Sequence, residues 1–427
     1  MTSHISITAG YIARFQRVAE RGDPARLLPV TGAQRRFLLA RRLAPGGLPD
    51  LVPLFFAFPR GTIDSARLAC AARHLAATHP ALRARPTVLR GTPVLHLVDD
   101  PAIPVLRVLP RPEESADDAL RRALAGWEIE GPPLRLFLAD DIANDAEILA
   151  IVLDHAACDE QSLGRILGDL TVAYRDDLTG EVGTASSVAE YRESVNTQLA
   201  VEERASDACA IEYWTRRLTG VATPADTPRR DDRTVGFAQR RLPVADGGRA
   251  AAFPVLLASC SAAARAVHGP ATVPVLGYPW GGRPATAPPV LGCFLNTVVH
   301  PGHTVDPKAT AQVWWDDLDH ADTPFDEVAR AARAARTPWT GALDALLTFE
   351  DLTHRPPLEL GGVTGREIHI DGRPIQAPFV VSVSYGTELL VRMAWDRGVV
   401  ADGPAHDALA ELLAGLRPHT QPTAQPG

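Results

Sequence analysis

Apolar positions recur along this chain in two patterns, one with the period of a helix and one typical of strands. In the first half, helical spacing predicts helices over residues 30–43, from 62–64 to 79, and over 163–174. Apolar or alternating runs predict strands over residues 51–58, 87–89, 93–98, 134–138 and 148–153. The first half therefore mixes helices with a sheet, as α+β units do.

The second half repeats this mixture after a polar, glycine-containing crossing at 176–187. Its pattern predicts helices over residues 188–218, 253–267 and 324–335, strands over 272–278 and 292–299, and a proline-rich loop over 281–289. A chain of 427 residues is too long for one ordinary core. We expect an α+β fold of two large lobes, with a cleft between them where a ligand site can form.

The apolar run at 148–153 ends where the pattern changes from strand to helix. Asp154 and His155 follow the run, Asp159 or Ser162 can cap the helix, and Glu160 is favourably placed near its positive end. His155 is thus held between two rigid elements, where an imidazole can meet a substrate. Taken alone, a histidine with an aspartate four residues later is more typical of a core histidine bonded to a backbone carbonyl, so the rest of the chain must decide.

Composition excludes several classes of protein. With 46% hydrophobic and 22% charged residues, the chain resembles ordinary globular proteins, and no run approaches the roughly 18 apolar residues of a membrane helix. The first residues have no signal-peptide core, so we expect a cytoplasmic protein without a membrane partner. A net charge of −8 with dispersed arginines argues against nucleic acid as a partner. No phosphate-binding, dinucleotide-binding or G-x-S-x-G motif is present in the sequence.

The cysteine pattern supports neither a disulfide framework nor a metal site, since no C-x-x-C pair or Cys/His cluster occurs. The five cysteines are Cys70, Cys158, Cys209, Cys260 and Cys293. Cys158 is close to His155 in sequence, but two residues in one turn cannot easily present sulfur to imidazole in line with a substrate. We expect Cys158 to be a small buried residue and not a nucleophile.

Six stretches, in order, resemble motifs of the condensation domains of nonribosomal peptide synthetases, within the wider acyltransferase superfamily that has a His-His-x-x-x-Asp-Gly motif. They are Val-Thr-Gly-Ala-Gln-Arg-Arg-Phe at 30–37, His-Pro-Ala-Leu-Arg-Ala at 79–84, Asp-His-Ala-Ala-Cys-Asp-Glu at 154–160, the Tyr-Trp helix from 213 to 218, the block from Leu-Gly-Tyr-Pro-Trp-Gly-Gly-Arg at 276–283 to Leu-Gly-Cys-Phe-Leu-Asn-Thr at 291–297, and His-Ala-Asp-Thr-Pro-Phe-Asp at 320–326. They extend from residue 30 to residue 326 of the 427.

The resemblance implies two chloramphenicol-acetyltransferase-like lobes in a V-shaped pseudo-dimer, with a tunnel entered by two phosphopantetheine arms from opposite faces. We expect an N-terminal lobe over residues 1–182, which carries His155, and a C-terminal lobe over 183–427. Residues 278–290 would form a floor loop that bridges the lobes, and a latch within about 351–379 would cross back to the first lobe. Both stretches are rich in proline, which suits crossings better than core strands.

The same resemblance implies the roles of the site residues. His155 would act on the proton of an attacking amine or hydroxyl, as a general base, as a positioning group or by stabilising a tetrahedral intermediate. Asp159 would be structural and would pair with an arginine, for which Arg283 is the candidate, because a buried carboxylate needs a partner. The alternative for Arg283 is a phosphate clamp or a solvated side chain. No metal ligand set is expected.

Two positions depart from the family motif: Asp154 replaces its first histidine and Glu160 replaces its glycine. Adjacent residues of an extended chain point to opposite sides, so we expect Asp154 to face away from the tunnel in a supporting hydrogen-bond role. Glu160 could narrow the tunnel, repel an anionic acyl group, recognise a cationic amine, or be a solvated first-turn residue. Both are candidates for substrate selection.

The function implied is that of a free-standing condensation enzyme of nonribosomal peptide or related natural-product biosynthesis. It would join an acyl thioester on an acyl or peptidyl carrier protein to a small amine or alcohol, which makes an amide or an ester. The chain itself would bind no cofactor, since the phosphopantetheine arm belongs to the carrier. The alternatives are a catalytically silent condensation-like domain that recruits a tailoring enzyme to a carrier, and a coenzyme A-dependent acyltransferase.

Overall fold

The computed structural model describes residues 5–43, 50–99, 102–128, 130–179, 184–221, 234–244, 248–281, 283–353, 355–372 and 375–417. The helices are α1 (Ile7–Ala19), α2 (Gly32–Leu43), α3 (Ser65–Thr78), α4 (Pro80–Arg83), α5 (Ala116–Ala125), α6 (Glu160–Arg175), α7 (Thr184–Arg204), α8 (Ala208–Arg217), α9 (Gly248–His268), α10 (Pro307–Leu318), α11 (Phe325–Ala334) and α12 (Asp402–Leu416). Single 3-10 turns occur at Ile142–Asn144 and His155–Ala157.

The strands of the first half are β1 (Leu27–Leu28), β2 (Leu51–Pro59), β3 (Ala84–Leu89), β4 (Thr92–Leu97), β5 (Val105–Val108), β6 (Leu134–Asp141) and β7 (Ala146–Asp154). Those of the second half are β8 (Val235–Pro243), β9 (Val275–Gly281), β10 (Leu295–Pro301), β11 (Ala345–Asp351), β12 (Glu359–Leu360), β13 (Val363–Thr364), β14 (Arg366–Ile368), β15 (Phe379–Tyr385) and β16 (Glu388–Asp396). Helices and strands alternate irregularly, which confirms the α+β class.

Strand β7 lies inside a five-stranded sheet of order β14-β2-β7-β6-β5. It pairs antiparallel with β2 and β6, and its residues after Ala146 are buried. Leu149, Ile151 and Leu153 pack into a core shared with α3 and α6, whereas Ala150 and Val152 pack into a second core on the α5 side. Burial on both faces explains the unbroken apolar run, as the sequence pattern predicted.

The second lobe is built on a six-stranded sheet of order β10-β9-β11-β15-β16-β8. Strand β11 runs parallel to β15 and β9, and the other pairs are antiparallel. Helices α9, α10 and α12 cover this sheet and form a separate hydrophobic core with it. The two large sheets thus pack against separate hydrophobic cores, which confirms the predicted two-lobed architecture.

A short strand links the two sheets. Strand β14 follows β11 of the second sheet in sequence, yet it pairs antiparallel with β2 of the first sheet, with Arg366 opposite Ala57 and Ile368 opposite Phe55. This strand lies inside the 351–379 segment that we expect to contain the latch. The lobe boundary at 182 and 183 falls within residues 180–183, outside the described part of the chain.

Several predicted element bounds are wrong. The strands expected over 272–278 and 292–299 are Val275–Gly281 and Leu295–Pro301, so the first residues assigned to the floor loop continue β9. The helix expected over 188–218 is two helices, α7 and α8. The break occurs because the Asp207 side chain accepts a hydrogen bond from the Ala210 backbone N–H at 2.8 Å and so caps a new helix.

Helix α9 contains a segment, Ala251–His268, that is long and apolar enough to cross a membrane by length and composition, which the sequence pattern did not indicate. Within the protein, 56% of that window is buried. Leu256, Cys260 and Ala263 contribute to the core of the second lobe. Packing against the sheet and α12 accounts for its apolar side chains.

Candidate active site

His155 begins the 3-10 turn between β7 and α6 and is partly buried. Its Nδ1 lies 3.1 Å from the backbone carbonyl oxygen of Cys158. Because a carbonyl can only accept, Nδ1 carries a proton in this contact, which leaves Nε2 as the ring nitrogen that can act as a base. Phe37 of α2 stacks on the imidazole with ring centroids 4.8 Å apart and planes at 24°. The ring is therefore oriented by two contacts in a tautomer suited to accept a proton.

Asp154 is buried and fixes the turn that carries His155. Its two carboxylate oxygens accept hydrogen bonds from Arg41 Nη1 and Nη2 at 2.8 and 2.5 Å. One of these oxygens also accepts from the backbone N–H of Ala156 at 2.8 Å. The Asp154 carboxylate therefore makes its hydrogen bonds to Arg41 and to the turn, which is a supporting role of the kind expected from strand alternation.

Asp159 caps α6 and pairs with Arg283. Its Oδ1 accepts from Ser162 N–H at 3.1 Å, from the Ser162 hydroxyl at 2.8 Å and from Arg283 Nη2 at 2.9 Å, and Oδ2 accepts from Phe294 N–H at 3.0 Å. The Asp159 side chain is 3% exposed and that of Arg283 13%. Arg283 also donates to the Gly292 carbonyl at 3.1 Å. The pair joins the first helix after His155 to a segment of the second half of the chain.

Glu160 is about 42% exposed at its side chain and forms an ion pair with Arg355, with Oε1 and Nη2 3.0 Å apart. Arg355 is only 7% exposed and also meets Glu367 at 3.2 Å and Glu350 at 3.7 Å. Burial lowers the pKa of Arg355, but its three carboxylate neighbours raise it more, so its pKa is raised overall. Burial raises the pKa of Glu367. Glu160 is therefore ion-paired to Arg355 and not merely solvated.

The structure adds three residues that sequence reasoning did not assign to the site: Phe37, Arg41 and Asp50. Phe37 and Arg41 are four residues apart on α2, so they share a helix face, and this spacing was the available signal. Burial raises the pKa of the Asp50 carboxyl, against the opposing charges of His155 and Arg41. Cys158 is fully buried and burial raises its thiol pKa, which agrees with its expected inert role.

A cavity of about 460 Å³ opens beside Asp159, Glu160 and Gln161, and the remainder of its lining comes from the second half of the chain. The site thus lies where the two lobes meet. In the described ranges, no group of three or more His, Cys, Asp or Glu side chains is arranged to hold a metal ion.

Known proteins with similar sequences are large synthetases. The chain is 24% identical to tyrocidine synthase 3 of Brevibacillus parabrevis over 425 residues and 23% identical to tyrocidine synthase 2 of the same organism over 412 residues. Each match covers 88% of this chain but only 6% and 11% of the synthetases, so the chain corresponds to a small part of them. No protein-family model matches the sequence.

Solved structures share the fold. The nonribosomal peptide synthetase FmoA3 aligns over 92% of this chain and 42% of its own, with a TM-score of 0.67 and 21% identity. The cyclization-docking bidomain of EpoB from Sorangium cellulosum aligns over 94% of this chain and 85% of its own, with a TM-score of 0.67 and 20% identity. The X-domain in a complex with OxyB from teicoplanin biosynthesis aligns over 93% and 95%, with a TM-score of 0.67 and 18% identity.

The two-lobed fold that carries His155, Asp159 and Arg283 is the fold of these solved structures. The chain is similar in sequence to the tyrocidine synthases and shares its fold with solved nonribosomal peptide synthetase structures, which confirms the resemblance seen in its sequence motifs.

Proposed function

We propose that this chain joins a carrier-bound acyl thioester to an amine or hydroxyl acceptor in the biosynthesis of a nonribosomal peptide or a related compound. The observation that carries the proposal is the fixed imidazole of His155, whose Nδ1 bonds to the Cys158 carbonyl and whose ring stacks on Phe37. An imidazole that is held in this way at the junction of two lobes is suited to take a proton from an attacking nucleophile.

In the proposed reaction the acceptor nitrogen or oxygen attacks the thioester carbonyl carbon while its proton passes to His155 Nε2. The tetrahedral intermediate then collapses, the carbon–sulfur bond breaks, and the departing sulfur takes the proton from the imidazolium. A new amide or ester bond and a free thiol result. His155 would contribute as base, as positioning group, or by stabilising the intermediate, and a pH–rate profile separates the first of these from the others.

The proposed donor partner is an acyl or peptidyl carrier protein, which would deliver the acyl group on its phosphopantetheine arm. The similarity to nonribosomal peptide synthetases supports this partner, because carriers supply the thioesters in such systems. Under this proposal the chain acts as a separate condensation enzyme. Its own residues would orient the acceptor and move a proton, and the arm would remain part of the carrier.

The test is to incubate the full chain with acylated carrier and a panel of amines and alcohols, and to measure product by intact mass. His155→Ala should reduce product formation by about 10²- to 10⁴-fold, the usual contribution of a proton-transfer residue. His96→Ala is the matched control, because His96 is an exposed histidine of the same lobe. Equal background product from wild type and His155→Ala across the panel would defeat the proposal.

A second candidate is a silent condensation-like domain that recruits another protein to a carrier. Two observations favour it: an X-domain of the same fold is known in a complex with OxyB, and Asp154 replaces the first motif histidine. Retention of His155 in an oriented tautomer favours catalysis instead.

Replacing the acylated carrier by acyl-coenzyme A in the same assay tests the third alternative, coenzyme A-dependent transfer.

A further inference from the structure

The cavity beside the N-terminus of α6 has an unusually aromatic lining. The first half of the chain contributes Asp159, Glu160 and Gln161, and five rings come from the second: Phe253, Tyr278, Trp280, Trp314 and Phe349. Phe253 lies at the centre of this group, with its ring centroid 5.2 Å from that of Tyr278, 5.4 Å from Trp314 and 6.0 Å from Phe349. The rings meet edge to face or tilted, which is the arrangement in which aromatic groups attract one another.

The cavity adjoins the candidate catalytic residue. Leu295 lines this cavity and also a small recess formed with Phe37, the ring that stacks on His155. Asp159, one of the polar residues that line the cavity, is four residues after His155 in the sequence. A substrate with its reacting atom at His155 can therefore extend a side group into the aromatic space.

The charged groups of the lining are already compensated. Asp159 pairs with Arg283 at 2.9 Å, and Glu160 pairs with Arg355 at 3.0 Å. Burial raises the pKa of Tyr278, so its hydroxyl stays neutral at physiological pH. A charged substituent in the cavity would lose water without gaining an unpaired opposite charge, which is costly.

We propose that this cavity binds an uncharged, planar ring, such as an aryl or indolyl group, that is carried by the acyl donor or by the acceptor. The inference rests on the proposed function and specifies the substrate class of that site. A cavity of about 460 Å³ is within the usual size range for small-molecule sites. The ring would stack against the aromatic lining and would be protected from water.

Binding can be tested without any reaction. In the full-length His155→Ala chain, titration with indole should give saturable binding by saturation-transfer NMR, and an aliphatic alcohol of similar size should bind less tightly. Adding Trp280→Ala should weaken indole binding by about tenfold, the upper range for loss of an aromatic contact. Adding Leu109→Ala should leave it unchanged, since Leu109 is 70% exposed and does not line the cavity.

A Trp280→Ala chain that fails to fold would also lose indole binding, so two further substitutions at this position separate the two causes. Trp280→Phe keeps a ring and should retain most of the affinity, whereas Trp280→Leu keeps apolar volume and should lose it. Absence of saturable indole binding, or equal affinity in the Trp280→Leu and Trp280→Phe chains, would overturn the proposal. Neither result depends on product formation, so the ring site can fail while the condensation activity stands, or the reverse.

The source of the ring is identified by turnover in two arms. The first pairs ring-bearing acyl carriers with a small amine, and the second pairs an acetylated carrier with ring-bearing amines. Trp280→Ala should lower kcat/KM by about tenfold in one arm only. The arm that is affected shows whether the donor or the acceptor places its ring in the cavity. Equal kcat/KM values for wild type and Trp280→Ala in both arms would contradict the proposal.

Discussion

Removal of the Arg283 side chain should destabilise the protein although His155 is untouched. Arg283→Met leaves the Asp159 carboxylate buried without its ion-pair partner, and loss of one partner of a buried pair costs about 3–5 kcal/mol. Three donors to Asp159 remain, from Ser162 N–H, Ser162 Oγ and Phe294 N–H. The remaining bonds compensate part of the lost charge, so we expect the lower end of the range, about 3 kcal/mol.

The measurement is denaturant unfolding followed by circular dichroism, with carrier-dependent product formation alongside. Arg216→Met is the matched control, since the Arg216–Glu212 pair is 66% and 71% exposed and such pairs contribute about 1 kcal/mol or less. Product formation should fall in Arg283→Met, because the pair joins α6 to the segment before β10. If Arg283→Met and Arg216→Met unfold at the same denaturant concentration, the pair is not the anchor that its geometry indicates.

Three further outcomes are expected. Glu160→Gly should lower the free energy of unfolding by about 1 kcal/mol, since the exposed carboxylate contributes little and glycine is a poor helix residue. The same substitution should alter the relative rates with substrates of different size. If those relative rates do not change, Glu160 has no part in substrate selection. Asp154→Ala should cost about 3 kcal/mol in denaturant unfolding because it leaves Arg41 buried and unpaired, and a wild-type midpoint would contradict this. Burial acts to raise the pKa of Asp317, but the bonds of this carboxylate to His300 and Arg217 hold that pKa below its ordinary value. The Asp317 carboxylate therefore contributes to stability above about pH 4, and this contribution is lost as the pH falls further. Asp317→Asn should therefore flatten the decline of stability below pH 4, and an unchanged slope would refute the assignment.

The hydrophobic pattern predicted the elements that hold the site because their burial is local in sequence. Strand β7 has two covered faces and shows an unbroken apolar run, and α6 shows one apolar face after a capping aspartate. The Asp159–Arg283 pair followed from the motif resemblance, since both residues belong to quoted motifs. Element ends were less predictable: the capping bond of Asp207 that separates α7 from α8 depends on one side-chain rotamer.

The partners of Asp154 and Glu160 could not be predicted from the pattern. Arg41 is 113 residues from Asp154, and Arg355 is 195 residues from Glu160. The sequence contains many arginines, and nothing local distinguishes these two from solvated ones. Only the pairing of sheets and the crossing of the chain near β14 bring Arg355 to the start of α6.

These two arginines explain how the site can differ from the family motif and keep its geometry. At the two positions that depart from the motif this chain has an acid, and each acid meets an arginine: Asp154 meets Arg41, and Glu160 meets Arg355. An acid without a partner at Asp154 would be expelled from the interior and would move the turn that carries His155. Paired with Arg41, the same carboxylate accepts three hydrogen bonds and holds that turn. The departures are thus compensated locally, which is the physical reason to regard the site as modified and not as degraded.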